Sequence, residues 1–202
     1  MGSSSAGRRF VRSVESRASA RELAEMLNGM GPRERVNAVT AVKGALVGQL
    51  YALVRDGEPL GLDDIVPSST PAGSTVTFEG RNSLPAFSRF QKRFARTADG
   101  LVFGYNHQPL RVAGAVTGPG YFRVVEADDA HPGELLFDYT LPPPFEPAGW
   151  PAYRANEVGV SRFVFMDLND YVRKVAEGVV VGAAFRRGED QNAYFSLTAN
   201  RG

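Results

Sequence analysis

The sequence predicts a mainly β fold: an antiparallel up-and-down β-barrel, with α-helices from the N-terminal third packed outside it. Three observations lead there. Near residue 74 the spacing of apolar residues changes from three-and-four to two. Beyond that point short alternating segments follow one another with turn chemistry between them and no helical crossover. Several of those segments are apolar on both faces, so each needs cover on both sides. A barrel wrapped by the helices supplies that cover.

The chain divides into a flexible or helical tail (1–18), a helical segment (19–57), a Pro/Gly-rich linker (58–74) and a barrel (75–202) that forms one globular unit with the helices. The opening "MGSSSA" falls short of a myristoylation pattern because Ala6 stands where Ser or Thr is needed. The Arg- and Ser-rich stretch after it suits either a transit segment or a solvated helical lead-in. Ser19 and Glu22 make a capping box for a helix with Leu23, Leu27 and Met30 on one face. Gly29, Gly31 and Pro32 stop it and start another. There Val39, Val42, Leu46, Leu50 and Leu53 form a wide apolar stripe, and Gly57 is the natural C-cap. Gly44 and Gly48 form a G-x-x-x-G that suits close approach to a sheet. "GEPLGLDDIVPSSTPAGS" carries the composition of a linker or surface loop.

Period-two segments follow: "STVTFEG", "LVFGYN" (101–106), "GYFRVVEA" (120–127), "ELLFDYT" (134–140), "SRFVFMD" (161–167), "DYVRKVA" (170–176), "VVVGAAFRR" (179–187) and "AYFSLT" (193–198). "AFSRFQKRFAR" fits a helix through Phe87, Phe90 and Phe94, or a strand face of Phe90, Lys92 and Phe94. The β character of everything after it favours the strand. The "TLPPPFEPAGWPAY" loop is long enough to act as a lid or plug over one end.

Composition narrows the function. With 23 basic and 22 acidic residues in 202, the chain lacks the basic excess of a nucleic-acid binder. The absence of cysteine removes thiolate nucleophiles and cysteine-ligated zinc and fits a reducing, cytoplasmic setting. Two histidines, His107 and His131, make a multi-histidine metal site an unattractive expectation, so no metal is expected. No apolar run approaches the ~20 residues of a membrane span. Nucleophile-elbow, Walker, dinucleotide and H-E-x-x-H motifs are all missing.

The run "SRFVFMDLNDYVRKVAEGVVVGAAFRRGEDQNAYFSLTANR" resembles the closing segment of the GXWXG-type calycin-like family, small proteins of largely unassigned function. Asp167, Asp170, Arg173, Lys174, Val175, Gly182, Phe195 and Leu197 carry the resemblance, with the aromatic Tyr171 one place early. "FQKRF" (90–94) loosely matches a Gly-Lys-x-Phe element with Gln91 in place of the glycine. The G-x-W-x-G itself is absent, since the sole tryptophan, Trp150, lies elsewhere. The resemblance implies a lipocalin- or fatty-acid-binding-protein-like barrel and no reaction.

The expected activity is therefore binding of a small apolar or amphipathic ligand, acidic ones included, inside the barrel, with no cofactor. Tyr171 and Arg173 share a strand face. An inward face would let Arg173 hold an acidic head through two parallel hydrogen bonds, with Tyr171 and Tyr194 beside it and Tyr105 and Tyr121 as further lining. An outward Arg173 competes evenly, because arginine is seldom fully buried; the resemblance favours the inward one. The alternative is a cyclase or isomerase in the same cavity, with His107 or Asp138 moving the proton. Asp138 sits in line with Glu134 and Thr140, which also suits a solvated face. A haem-binding barrel with His107 as single axial ligand is a further alternative.

Overall fold

In the computed structural model, residues 5–84, 88–107, 119–154 and 167–200 are described. Eight antiparallel strands form a closed barrel in chain order: β1 (Val76–Asn82), β2 (Arg89–Arg96), β3 (Val102–His107), β4 (Tyr121–Glu126), β5 (Leu135–Asp138), β6 (Leu168–Ala176), β7 (Val179–Arg186) and β8 (Glu189–Ala199). Closure comes from β8 pairing with β1, Phe78 opposite Ala199 and Asn82 opposite Phe195. The fold is thus the mainly β, up-and-down barrel with N-terminal helices that the sequence predicts. "AFSRFQKRFAR" supplies β2, a strand. The strand expected over 161–167 lies outside the described residues apart from Asp167, which sits in a turn at φ 55°.

Alternation sorts the side chains. Phe78, Phe90, Phe94, Val102, Phe122, Val124, Leu135, Phe137, Val172, Val180, Phe195 and Leu197, drawn from all eight strands, form one buried cluster in the lumen. Glycines make room for the rings: a Cβ on Gly80 would come within 2.7 Å of Phe90, and one on Gly182 would overlap Phe195. The opposite faces of β6 and β7 present Val175, Val179, Val181 and Ala183 to the helices. This explains why "VVVGAAF" is apolar throughout: it is covered on both sides.

The helices are α1 (Ser5–Glu15), α2 (Ala20–Asn28), α3 (Pro32–Ala41) and α4 (Ala45–Leu53). The Ser19–Glu22 capping box starts α2. In α1 Phe10 and Val14 are fully buried, so this stretch is a packed helix rather than a solvated lead-in. The single apolar stripe expected from 32 to 57 is broken: α3 and α4 are bent by 115° at a hinge where Gly44 takes φ 54°. The bend lets Val39, Val42, Val47 and Leu50 all reach the barrel wall. Gly48 lies against the ring of Tyr194, the close approach to a sheet expected of it. Arg35 ties α3 to the β6–β7 turn by donating to Glu177 O at 2.6 Å. Among the described residues no single helix is long and apolar enough to cross a membrane.

One end of the barrel is stoppered by the segment read as a linker. It contains the short helix α5 (Leu62–Ile65), and Leu60, Ile65 and Val66 are buried in the lumen cluster. Polar ties hold it: Leu60 N donates to Gly133 O at 2.9 Å, Arg96 pairs with Asp63 at 2.5 Å, and Lys174 pairs with Asp64 at 3.1 Å and Glu58 at 3.3 Å. The long loop expected as a plug does something else. Trp150 packs on the outer wall, its ring centroid 4.7 Å from Tyr105 and 5.6 Å from Phe103.

Candidate functional site

Away from the stopper, four polar side chains meet inside the lumen. Lys92 (β2), Asn106 (β3) and Asp170 (β6) share the inward parity of their strands, and Tyr139 follows β5 directly. Lys92 Nζ donates to Tyr139 Oη at 2.5 Å, to Asn106 Oδ1 at 2.8 Å and to Asp170 Oδ2 at 3.1 Å. Tyr139 in turn donates to Asp170 Oδ2 at 3.0 Å, and Asn106 Nδ2 donates to Tyr139 Oη at 3.2 Å and to Gly120 O at 3.3 Å. The ammonium is ringed by aromatic faces: Phe122 at 4.6 Å, Phe195 at 5.0 Å, Tyr139 at 5.2 Å and Phe137 at 5.4 Å to the centroids.

The electrostatics of this cluster follow from its burial. The side chains of Lys92 and Asp170 are only 3% and 5% exposed. Burial pushes the Lys92 ammonium below the ordinary lysine range, with Asp170 pulling it back. Burial, and after it the Asp170 carboxylate, holds the Tyr139 phenol well above its ordinary value. A lysine, a phenol and a carboxylate joined this way bind hydrogen-bonding groups and can relay a proton among themselves.

Phe90 and Phe195 close the lumen over the cluster. Both lie at the end of the barrel bounded by the β1–β2 and β7–β8 connections, with ring centroids 6.2 Å apart at 78°. Their rings rest over Gly80 and Gly182.

The residues singled out in the sequence fall elsewhere. Arg173 points outward, correcting the expectation of an inward arginine. Its parity partner Val175 packs under the helices, and its guanidinium lies 3.8 Å from the ring centroid of Tyr51 in α4. It donates to Glu134 Oε1 (Nε 3.0 Å, Nη2 2.9 Å) and to Tyr51 O at 2.8 Å. Glu134 also accepts from the Tyr51 phenol at 3.0 Å. The arginine is thus buried by helix α4 and already neutralised, which leaves it no acidic head group to hold. Tyr171 is on the same outer face, stacked on His131 at 3.7 Å between centroids. Tyr194 is outside too, beside Tyr51 at 5.9 Å and donating to Asp190 Oδ2 at 2.9 Å.

Tyr105 and Tyr121 line the outer wall under Trp150, not the lumen, and Tyr121 donates to Pro151 O at 2.6 Å. His107 is outside beside Tyr105, Nδ1 3.5 Å from its hydroxyl, and burial followed by the nearby Arg93 charge lowers its pKa. Asp138 accepts from Thr140 N and Oγ1 at 2.7 and 2.6 Å on the exposed surface. His107 and Asp138 therefore do not converge in the lumen, either as an acid–base pair or as the surroundings of an axial ligand.

Comparison with known proteins returns no match. No family model, no curated protein and no solved structure matches this chain.

Of the four residues in the lumen cluster, two left a trace in the sequence. Lys92 shares its strand face with Phe90 and Phe94, the pattern of a lysine placed where an apolar side chain belongs. Asp170 shares parity with Val172 in the same way. Tyr139 and Asn106 have no such mark, because each sits at a strand end, where polar residues are ordinary.

Proposed function

We propose that the barrel binds a small apolar molecule bearing a neutral polar head, such as an alcohol or a primary amide. What carries this reading is the Lys92–Asp170–Tyr139–Asn106 cluster, set in an aromatic cage at the end of the lumen opposite the α5 stopper. Burying such a pair costs several kcal/mol of desolvation that an apolar core would avoid, and a filled hydrophobic barrel has no structural need of it. The inward cations are already balanced, Lys92 by Asp170 and Lys174 by Asp64 and Glu58. A neutral head that both donates and accepts suits the cluster better than a free acid. The ligand enters by turning Phe90 and Phe195 aside, its chain then lying along the phenylalanines below. Membership of a calycin-like family, suggested by the C-terminal resemblance, would fit the same activity.

An isomerase- or cyclase-type reaction is the second reading, favoured by one observation: Tyr139 Oη is hydrogen-bonded to both Lys92 and Asp170. In it these three residues, rather than His107 and Asp138, would move the proton.

The test is displacement of a lumen-bound hydrophobic dye by decanol and by decanoate, in the native protein and in the Lys92→Met/Asp170→Leu double variant. Decanol is expected to compete better than decanoate and to lose about tenfold or more in the variant, as for hydrogen bonds to charged groups. Equal competition in both proteins would remove the lumen site from consideration. Mass spectrometry of the recovered ligand separates binding from turnover.

A further inference from the structure

A second site lies outside the barrel. Thr70, Thr75, Thr77, Gln91, Arg93 and Asn200 line an open groove of about 580 Å³ on the outer face of β1 and β2, a volume in the range of small-molecule sites. Pro67 and Val76 complete the lining, which is otherwise hydroxyl, amide and guanidinium. Arg93 is the one cation in this lining. It takes part in no ion pair among the described residues, and its buried Nε has no hydrogen-bond partner among them. The two terminal nitrogens make only long contacts, Nη1 to Tyr105 Oη at 3.3 Å and Nη2 to Gln91 Oε1 at 3.4 Å.

The nearby carboxylate of Glu79 is turned aside. Gln91 Nε2 donates to Glu79 Oε1 at 3.0 Å, so the amide engages the acid on one side and offers its oxygen to Arg93 on the other. One step along the same outer face, Arg81 stands directly opposite Arg89. Burial, and after it the neighbouring Arg89 charge, lowers the Arg81 pKa, and neither arginine takes part in an ion pair among the described residues. Arg173, Lys92, Lys174 and Arg96, by contrast, are each matched to a carboxylate.

We propose that this groove binds a small polar anion: a carboxylate or phosphate monoester on a hydroxylated body, with the charged group on Arg93 and the body among Thr70, Thr75, Thr77 and Asn200. A guanidinium that no carboxylate engages binds either anion through paired hydrogen bonds, and the threonines and amides donate to and accept from hydroxyls. The site is independent of the lumen: Arg93 faces outward on β2, whereas its neighbour Lys92 faces inward.

The protein carries its own reporter for this groove. Trp150, the only tryptophan, donates Nε1–H to Thr75 Oγ1 at 2.8 Å and packs at a tilt against Tyr105, which meets Arg93. The experiment follows Trp150 fluorescence, with calorimetry in parallel, as the protein is titrated with glycerol 3-phosphate, glycerate and glycerol. At least one of the two anions is expected to give a saturable change while glycerol gives none, and the better of the two identifies the charged group recognised. Arg93→Gln is expected to weaken that anion by about tenfold or more. Thr77→Val, which leaves the partners of Trp150 in place, should weaken it less. The proposal is overturned if neither anion saturates below ~10 mM, an affinity too weak to signify a built site, if glycerol matches them, or if folded Arg93→Gln binds like the native protein.

Discussion

Replacing Asp170 by asparagine removes the counter-ion of a lysine with nowhere to go. Lys92 Nζ and Asp170 Oδ2 are 3.1 Å apart, and both side chains are almost wholly buried. At an effective dielectric of ~20 their attraction is ~5 kcal/mol. Most of that is offset by the cost of taking both ions out of water, so the pair as a whole contributes little. Removing one member is different: the remaining charge keeps its desolvation cost without the compensation, a loss of about 3–5 kcal/mol. In a chain of this size each kcal/mol moves Tm by ~2–4 °C, so Asp170→Asn should fall by about 6–20 °C.

The double variant Lys92→Met/Asp170→Leu should recover to within ~1 kcal/mol of the native protein or exceed it. Urea denaturation at neutral pH of the native protein, Asp170→Asn and the double variant measures both effects. Asp170→Asn should also become more stable as pH rises. Its folded state holds Lys92 neutral at a lower pH than the unfolded chain does, so over that interval the unfolded state binds the extra proton. Stability then climbs with pH until the ordinary lysine value of ~10.4. A loss below ~1 kcal/mol, or a double variant no better than the single one, would refute the claim that Lys92 is a buried charge held by Asp170.

Two further outcomes follow from the same structure. Burial is the leading cause that raises the phenols of Tyr51, Tyr105, Tyr121, Tyr139, Tyr171 and Tyr194. The folded protein therefore keeps protons that the unfolded chain releases. The stability they contribute is whole below pH ~10 and is lost as pH climbs through the raised values. Urea midpoints should fall steeply there and most phenolate absorbance should appear with unfolding; more than one of the seven tyrosines forming phenolate near pH ~10 in a folded protein would contradict this. Gly104→Ala should cost ~1–3 kcal/mol or more, because its Cβ would stand 2.5 Å from the backbone oxygen of Arg93 and 2.8 Å from Phe122. No rotamer relieves a clash with backbone, and an unchanged urea midpoint would show that the two strands separate more easily than their packing implies.

The barrel was legible because its signal is distributed: seven turn-bounded segments of period two survive the error of any one. Orientation was not, and β6 shows why. Its two faces read Asp170–Val172–Lys174 and Tyr171–Arg173–Val175, each with one aliphatic residue and two polar ones. Pattern alone distinguishes inside from outside only when one face meets water, and here one meets the lumen while the other meets α4 and the β4–β5 connection. The arginine that looked like a ligand anchor is instead cement between helix and wall, completed by Glu134, thirty-nine positions away. β2 held the better clue, since a lysine between two phenylalanines has no solvated alternative once the segment is a strand. The stopper was missed because "GLDDIVPSS" has the composition of a loop, and two buried residues, Ile65 and Val66, leave too short a pattern to read.

The seam between β1 and β8 sets the order in which this molecule can be made. Phe78 finds Ala199 across it, so β1 waits through the synthesis of every other strand with one edge bare. Joining positions so distant in the chain carries a large entropy of ring closure before any contact repays it. Until then the phenylalanines meant for the interior belong to an open, sticky sheet, and an open sheet edge invites other chains. Swift assembly of the N-terminal helices onto β6 and β7 would shelter the outer face during that interval, and the final strand then acts as the clasp.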